Sequence, residues 1–163
     1  MISDVRGKLF EHFTHRLMSK QATSRKFRRL STDQILSSDP PLLSLPIQTA
    51  HYFRNVDEID PFSYNIPMSP KIPGIDSLIP AQGLLFQMTL RKDHGVQATV
   101  LEGMKHGVFD KYLAADPNNK IKLVFAVDPK RYLTMKLQPY YGVTNAPLQG
   151  ELHTRLPWIE QWA

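Results

Sequence analysis

The stretch Gly74–His94, GIDSLIPAQGLLFQMTLRKDH, decides how the chain is read. Ile75–Ile79 and Leu84–Leu90 are two short strand-forming runs joined by Pro80-Ala81-Gln82-Gly83, the composition of a turn. A tight turn centred on Ala81 and Gln82 predicts Ile79 opposite Leu84, Leu78 opposite Leu85 and Asp76 opposite Gln87. Successive side chains point to opposite faces of a strand. One face should therefore carry Asp76, Gln87, Thr89 and Arg91, and the other Leu84, Phe86, Met88 and Leu90. The apolar set needs helices to cover it. A one-residue bulge would redistribute the faces, and would be needed for Lys92 to reach the polar one.

Working outward, Asp4–Ser19 reads as a helix. Val5, Leu9, Phe13 and Leu17 recur at four-residue spacing, Phe10 and Met18 widen the stripe, and Ser3 and Asp4 supply capping oxygens. Between Ser37 and Pro73 stand Pro40, Pro41, Pro46, Pro61, Pro67, Pro70 and Pro73, which forbid a long helix and fit loops around one strand near Thr49–Phe53. Downstream, Val100–Ala114 reads as a helix with Val100, Met104, Val108 and Tyr112 on one face, weakened by Gly103 and Gly107 at about 1 kcal/mol each relative to alanine. Asp116, Pro117, Asn118 and Asn119 make a stop and turn. Ile121–Val127 (IKLVFAV) is the clearest buried strand, ended by Asp128-Pro129. A helix between two strands calls for a crossover and a mixed sheet. In the tail, Leu152, Leu156, Ile159 and Trp162 fit a short helix face, and an apolar end suggests a piece of a longer protein. The expectation is one α/β domain over residues 1–163, with its core at about 4–140 and a mixed central sheet flanked by helices.

Composition removes several chemistries. Cysteine is absent, which excludes a thiol nucleophile, a thiolate zinc site and disulfides. There is no glycine-rich phosphate loop, no nucleophile-elbow serine and no HExxH. Apolar runs such as Gly83–Met88 are far short of the roughly 20 residues that span a bilayer, and the N-terminus lacks a secretory pattern. No membrane role and an intracellular setting are expected. Of the net charge of +5, the first thirty residues hold the whole excess: Arg6, Lys8, Arg16, Lys20, Arg25, Lys26, Arg28 and Arg29 against Asp4 and Glu11. Such a patch suits a polyanion, and equally a solvated, salt-bridged helix end.

Three segments together resemble a known group. GIDSLIPAQGLLFQMTLRKDH looks like the central hairpin of the restriction-endonuclease-like, PD-(D/E)XK-type domains of Crinkler-type effectors and related transposon-associated fungal and oomycete proteins. RGKLFEHFTHRLMSK with SRKFRRL resembles the opening helix and the basic segment after it. NKIKLVFAVDPKRYLTMKLQPY resembles the last core strand and the turn beyond. The resemblance covers roughly Val5–Tyr140 and implies an αβββαβ core. It also implies a nucleic-acid ligand, DNA before RNA, a nuclear location, and Mg²⁺ (or Mn²⁺) held by acids.

Carried over residue by residue, Asp76 matches the first acid and Glu11 the helix glutamate. Gln87 stands at the second acid and Thr89 at the lysine. The resemblance thus implies Asp76, Gln87 and Glu11 as metal ligands, with Arg91 as the cation on that face. Glutamine removes one negative charge from a site for a hard cation, and threonine cannot replace the lysine's charge. Lys20, Arg25, Lys26, Arg28, Arg29 and His94 are candidates for phosphate contact, and Tyr132, Tyr140 and Tyr141 for stacking. His12 and His15 have a metal-pair spacing without a clear third ligand. Each has a plainer alternative: Asp76 beside a turn, Gln87 in a structural network, Glu11 and the histidines on a solvated surface, the tyrosines in the core. Two functions remain open, a Mg²⁺-dependent nuclease and a non-catalytic DNA- or protein-binding module of nuclease-derived fold.

Overall fold

The computed structural model describes residues 2–20, 23–30, 42–45, 49–68, 74–91, 94–113, 119–142 and 156–163. Helix α1 (Ile2–Lys20) leads into a small antiparallel ribbon of β1 (Thr23–Lys26) and β2 (Leu42–Leu45). The main sheet takes β3 (Ala50–Phe53), β4 (Tyr64–Pro67), β5 (Ser77–Ile79) and β6 (Leu84–Thr89). After β7 (Val96–Gln97), α2 (Ala98–Met104) continues through a π-helical turn, Lys105–Phe109, into α3 (Asp110–Tyr112). Then follow β8 (Ile121–Val127), α4 (Pro129–Tyr132), β9 (Tyr140–Tyr141) and β10 (Ile159–Trp162).

Six strands form a mixed sheet in the order β10-β8-β6-β5-β4-β3. β4, β5 and β6 run antiparallel in sequence, and β8 lies parallel beside β6 after the α2 crossover. The hairpin closes as the turn chemistry requires. Pro80–Gln82 form one 3₁₀ turn, and Gly83 takes φ 64°, the left-handed conformation that glycine adopts without a Cβ clash. Ile79 then pairs with Leu84 and Leu78 with Leu85, as expected.

Apolar clusters cover both faces of the sheet. Leu78, Leu85, Leu123 and Phe125 pack with Leu101, Met104, Val108 and Phe109 on one side. Ile79, Leu84, Phe86 and Val124 pack with Met18, Phe27 and Tyr64 on the other. α1 therefore lies across one face and α2 across the other.

Several expectations are corrected. In α1 the stripe Val5, Leu9 and Phe13 faces outward, 56–63% exposed, while Thr14 and Met18 are buried. The buried side is set by a polar need: His15 Nδ1 meets the Tyr64 hydroxyl at 3.0 Å, and the Ser77 hydroxyl donates to the same oxygen at 2.7 Å. The tail is a strand at Ile159–Trp162, not a helix, and it brings the sheet a member from beyond residue 140. β4 also went unforeseen. The stop at Asp116–Asn118 and the residue Lys92 lie outside the described residues.

Candidate functional site

Asp76 is displaced by one residue from its expected place. Its N–H donates to the Phe86 carbonyl at 3.0 Å, although Ser77 is the residue paired with Phe86. Asp76 and Ser77 thus share one partner, which is the arrangement of a bulge. The Asp76 carboxylate accepts the Met88 N–H at 2.5 Å and so fills a vacant position in the strand ladder. Burial pushes this carboxyl from 3.8 up to about 6; the Met88 N–H opposes the rise and the Glu11 charge adds to it. Asp76 therefore belongs with Glu11 on the α1 side. Glu11 Oε1 lies 3.7 Å from His15 Nε2, and burial of His15 lowers its pKa more than Glu11 restores it.

Gln87 and Thr89 belong to the α2 side, since their strand positions alternate with those of Phe86 and Met88. Gln87 is 2% exposed, and its amide nitrogen lies 2.6 Å from His94 Nε2. Thr89 Oγ1 is 3.3 Å from His94 Nδ1 and accepts the Arg91 N–H at 3.0 Å. The His94 N–H donates to Gln138 Oε1, and Gln138 exchanges backbone-to-side-chain hydrogen bonds with Gln161 of β10. His94 is held below its usual pKa, first by burial and then by the charge of Arg91. Gln87, Thr89 and His94 thus serve a network that ties the hairpin to the sheet edge.

The implied ligand set does not converge. Asp76 and Glu11 are neighbours, Gln87 faces the other way, and one Asp76 oxygen is engaged by backbone. Among the described residues, no group of three or more histidine, aspartate or glutamate side chains is placed to hold a metal ion. Gln87, hydrogen-bonded to His94 on the α2 side, does not share a metal position with Asp76 and Glu11. Arg91 is exposed and lies beyond the end of β6.

The expected phosphate contacts are also dispersed. The Arg28 guanidinium donates to the Tyr132 carbonyl at 2.7 Å and to the Met135 carbonyl, and it stacks 5.8 Å from the Tyr132 ring. Arg29 pairs with Glu160 at 3.2 Å. Arg25 and Lys26 lie on β1. Tyr140 is buried, and the Tyr141 ring closes over Gly95, where an added Cβ would stand 2.2 Å from it. Arg28, Tyr140 and Tyr141 are thus engaged within the fold.

What the fold does gather is a groove of about 680 Å³ between α1 and the sheet edge. Lys8, His12, Arg16 and Lys20 line it from the helix, Tyr52 and Ile66 from β3 and β4. The four helix residues stand one every four positions, so they form a single ridge with steps of about 6 Å. From sequence, Lys20 stands among the phosphate-contact candidates, Lys8 and Arg16 in the basic N-terminal patch, and His12 in a pair with His15. Their common four-residue spacing was not read as one ridge, because the apolar residues at the same spacing drew the buried face to the wrong side. Comparison with protein-family models, curated proteins and solved structures gave no match.

Proposed function

We propose that the chain is a nucleic-acid-binding module of nuclease-derived fold that binds through the α1 groove and does not cleave. The observation that carries this is the ridge Lys8, His12, Arg16 and Lys20, with only Glu11 opposing it in the groove. A row of cations favours a polyanion because each neutralised phosphate releases counterions. The order of helix α1, antiparallel β4-β5-β6, helix α2 and parallel β8 supports the αβββαβ ancestry that the hairpin resemblance implies. The separation of Gln87 from Asp76 and Glu11 favours binding over Mg²⁺ chemistry. A nuclear site of action goes with this proposal. No helix among the described residues is long and apolar enough to cross a membrane.

The test is fluorescence anisotropy with labelled DNA across a salt series, with and without EDTA. Three lysine or arginine contacts predict a log–log salt slope of roughly −2 to −3, which falls towards zero in the K8A/R16A/K20A variant. EDTA should change nothing. Binding that the triple variant leaves intact, or metal-dependent cutting abolished by Asp76→Ala, defeats the proposal. The exposed Val5, Leu9 and Phe13 favour a protein partner as a second reading, which predicts weak salt dependence.

A further inference from the structure

Tyr52 adds to the ridge something charge alone does not supply. It stands on β3, an edge strand of the sheet, and its partner across the ladder is Ile66. Both side chains line the same groove as Lys8, Arg16 and Lys20, and Tyr52 remains 60% exposed. No hydrogen bond or aromatic pairing is given to its ring among the described residues. An exposed aromatic facing a ridge of cations offers two kinds of contact side by side. The ridge takes phosphates and the ring takes a flat, polarisable surface.

We propose that the groove accepts single-stranded nucleic acid, with the backbone along Lys8–Lys20 and a base stacked on Tyr52; this rests on the binding function proposed above. Duplex bases are already stacked on each other and cannot reach a ring inside a groove, whereas every unpaired base has a free face. Stacking is tolerant of sequence, so little base preference should appear. The four-residue steps of the helix, about 6 Å each, are comparable to the spacing of successive phosphates on an extended strand. A rigid rod of paired strands would meet the ridge along one edge only and leave Tyr52 idle. The chemistry is shared by DNA and RNA single strands, and the two are separated by experiment.

The experiment measures binding of oligo(dT), oligo(U) and a duplex of equal length to the full chain, by anisotropy at one salt concentration. The variants are Tyr52→Ala, Tyr52→Phe and K8A/R16A/K20A. Tyr52 is exposed, so its replacement should leave folding intact, which circular dichroism and the urea midpoint will check. Single strands should bind more tightly than duplex. Tyr52→Ala should weaken single-strand binding by roughly tenfold or more and leave the duplex unchanged. Tyr52→Phe should keep most of the affinity, because stacking needs the ring and not the hydroxyl. Preference for oligo(dT) or for oligo(U) identifies which strand the groove takes, and binding of either supports the proposal. Equal binding of single strand and duplex, both untouched by Tyr52→Ala but lost in the triple charge variant, overturns this inference while sparing the groove. Binding unaffected by the triple variant overturns both.

Discussion

Replacing Asp76 by asparagine should stabilise the protein at pH 8 and leave it unchanged near pH 4. The folded-state carboxyl titrates at about 6 against an ordinary 3.8, because burial and Glu11 disfavour its ionised form. The folded protein therefore binds this proton more tightly than the unfolded chain does. The resulting stabilisation is fully present below about pH 4 and is lost as pH rises through about 6. Each tenfold difference in proton affinity corresponds to about 1.4 kcal/mol, so two decades set a ceiling of about 3 kcal/mol. Asp76 is only partly buried, so solvent screening lowers the realised value, and a gain of about 1.5–3 kcal/mol is expected for Asp76→Asn at pH 8. Asparagine keeps an oxygen for the Met88 N–H. In urea this is a rise in midpoint of about 1 M, given slopes of about 1–3 kcal/mol/M. The same midpoint difference at both pH values, or a variant less stable at pH 8, refutes the reasoning. Millimolar Mg²⁺ adds a second arm. If Asp76 and Glu11 clamp the cation, Mg²⁺ stabilises the wild type and not the variant; no difference is expected.

Two other substitutions probe the hairpin and the helix. Gln87→Glu supplies the second acid of the expected metal set, but it puts a carboxylate into the His94 network on the α2 side. A loss of about 3 kcal/mol at pH 8, partly recovered as the pH falls and His94 takes up a proton beside the new carboxylate, is expected in urea melts; rescue by Mg²⁺ would contradict the geometry. Phe13→Ser should change stability by less than about 0.5 kcal/mol because the ring is 59% exposed, whereas a core phenylalanine would cost about 3–5 kcal/mol.

The parts of the fold legible in sequence are those where local chemistry and burial agree. Pro80–Gly83 defines a turn with one good geometry, and the hairpin register from Ile79–Leu84 to Leu78–Leu85 follows from it. Ile121–Val127 is apolar apart from Lys122 because both faces of β8 are covered, and its bounds came out as read. β4 was hidden by Asn65, a polar residue that is wholly buried because Asp60 and Ser63 carbonyls accept its amide hydrogens at 2.6 and 2.8 Å. In the tail, Ile159 and Trp162 fit a helical spacing as well as an extended one, and only the parallel partner β8 decides between them. The site was less legible still. The position of Asp76 depends on one backbone hydrogen bond, and the groove exists only because Tyr52 on β3 comes to rest beside α1.

The bulge at Asp76 separates the identity of a residue from its address. Letter by letter, Asp76 stands where the hairpin register puts it opposite Gln87. In space it faces a different compartment from Gln87, because it shares the partner Phe86 with Ser77. A length change of a single residue in this short approach can switch an acid between two compartments without altering any side chain. Active sites built across a hairpin are thus open to silent loss, and to recovery, by insertion and deletion alone.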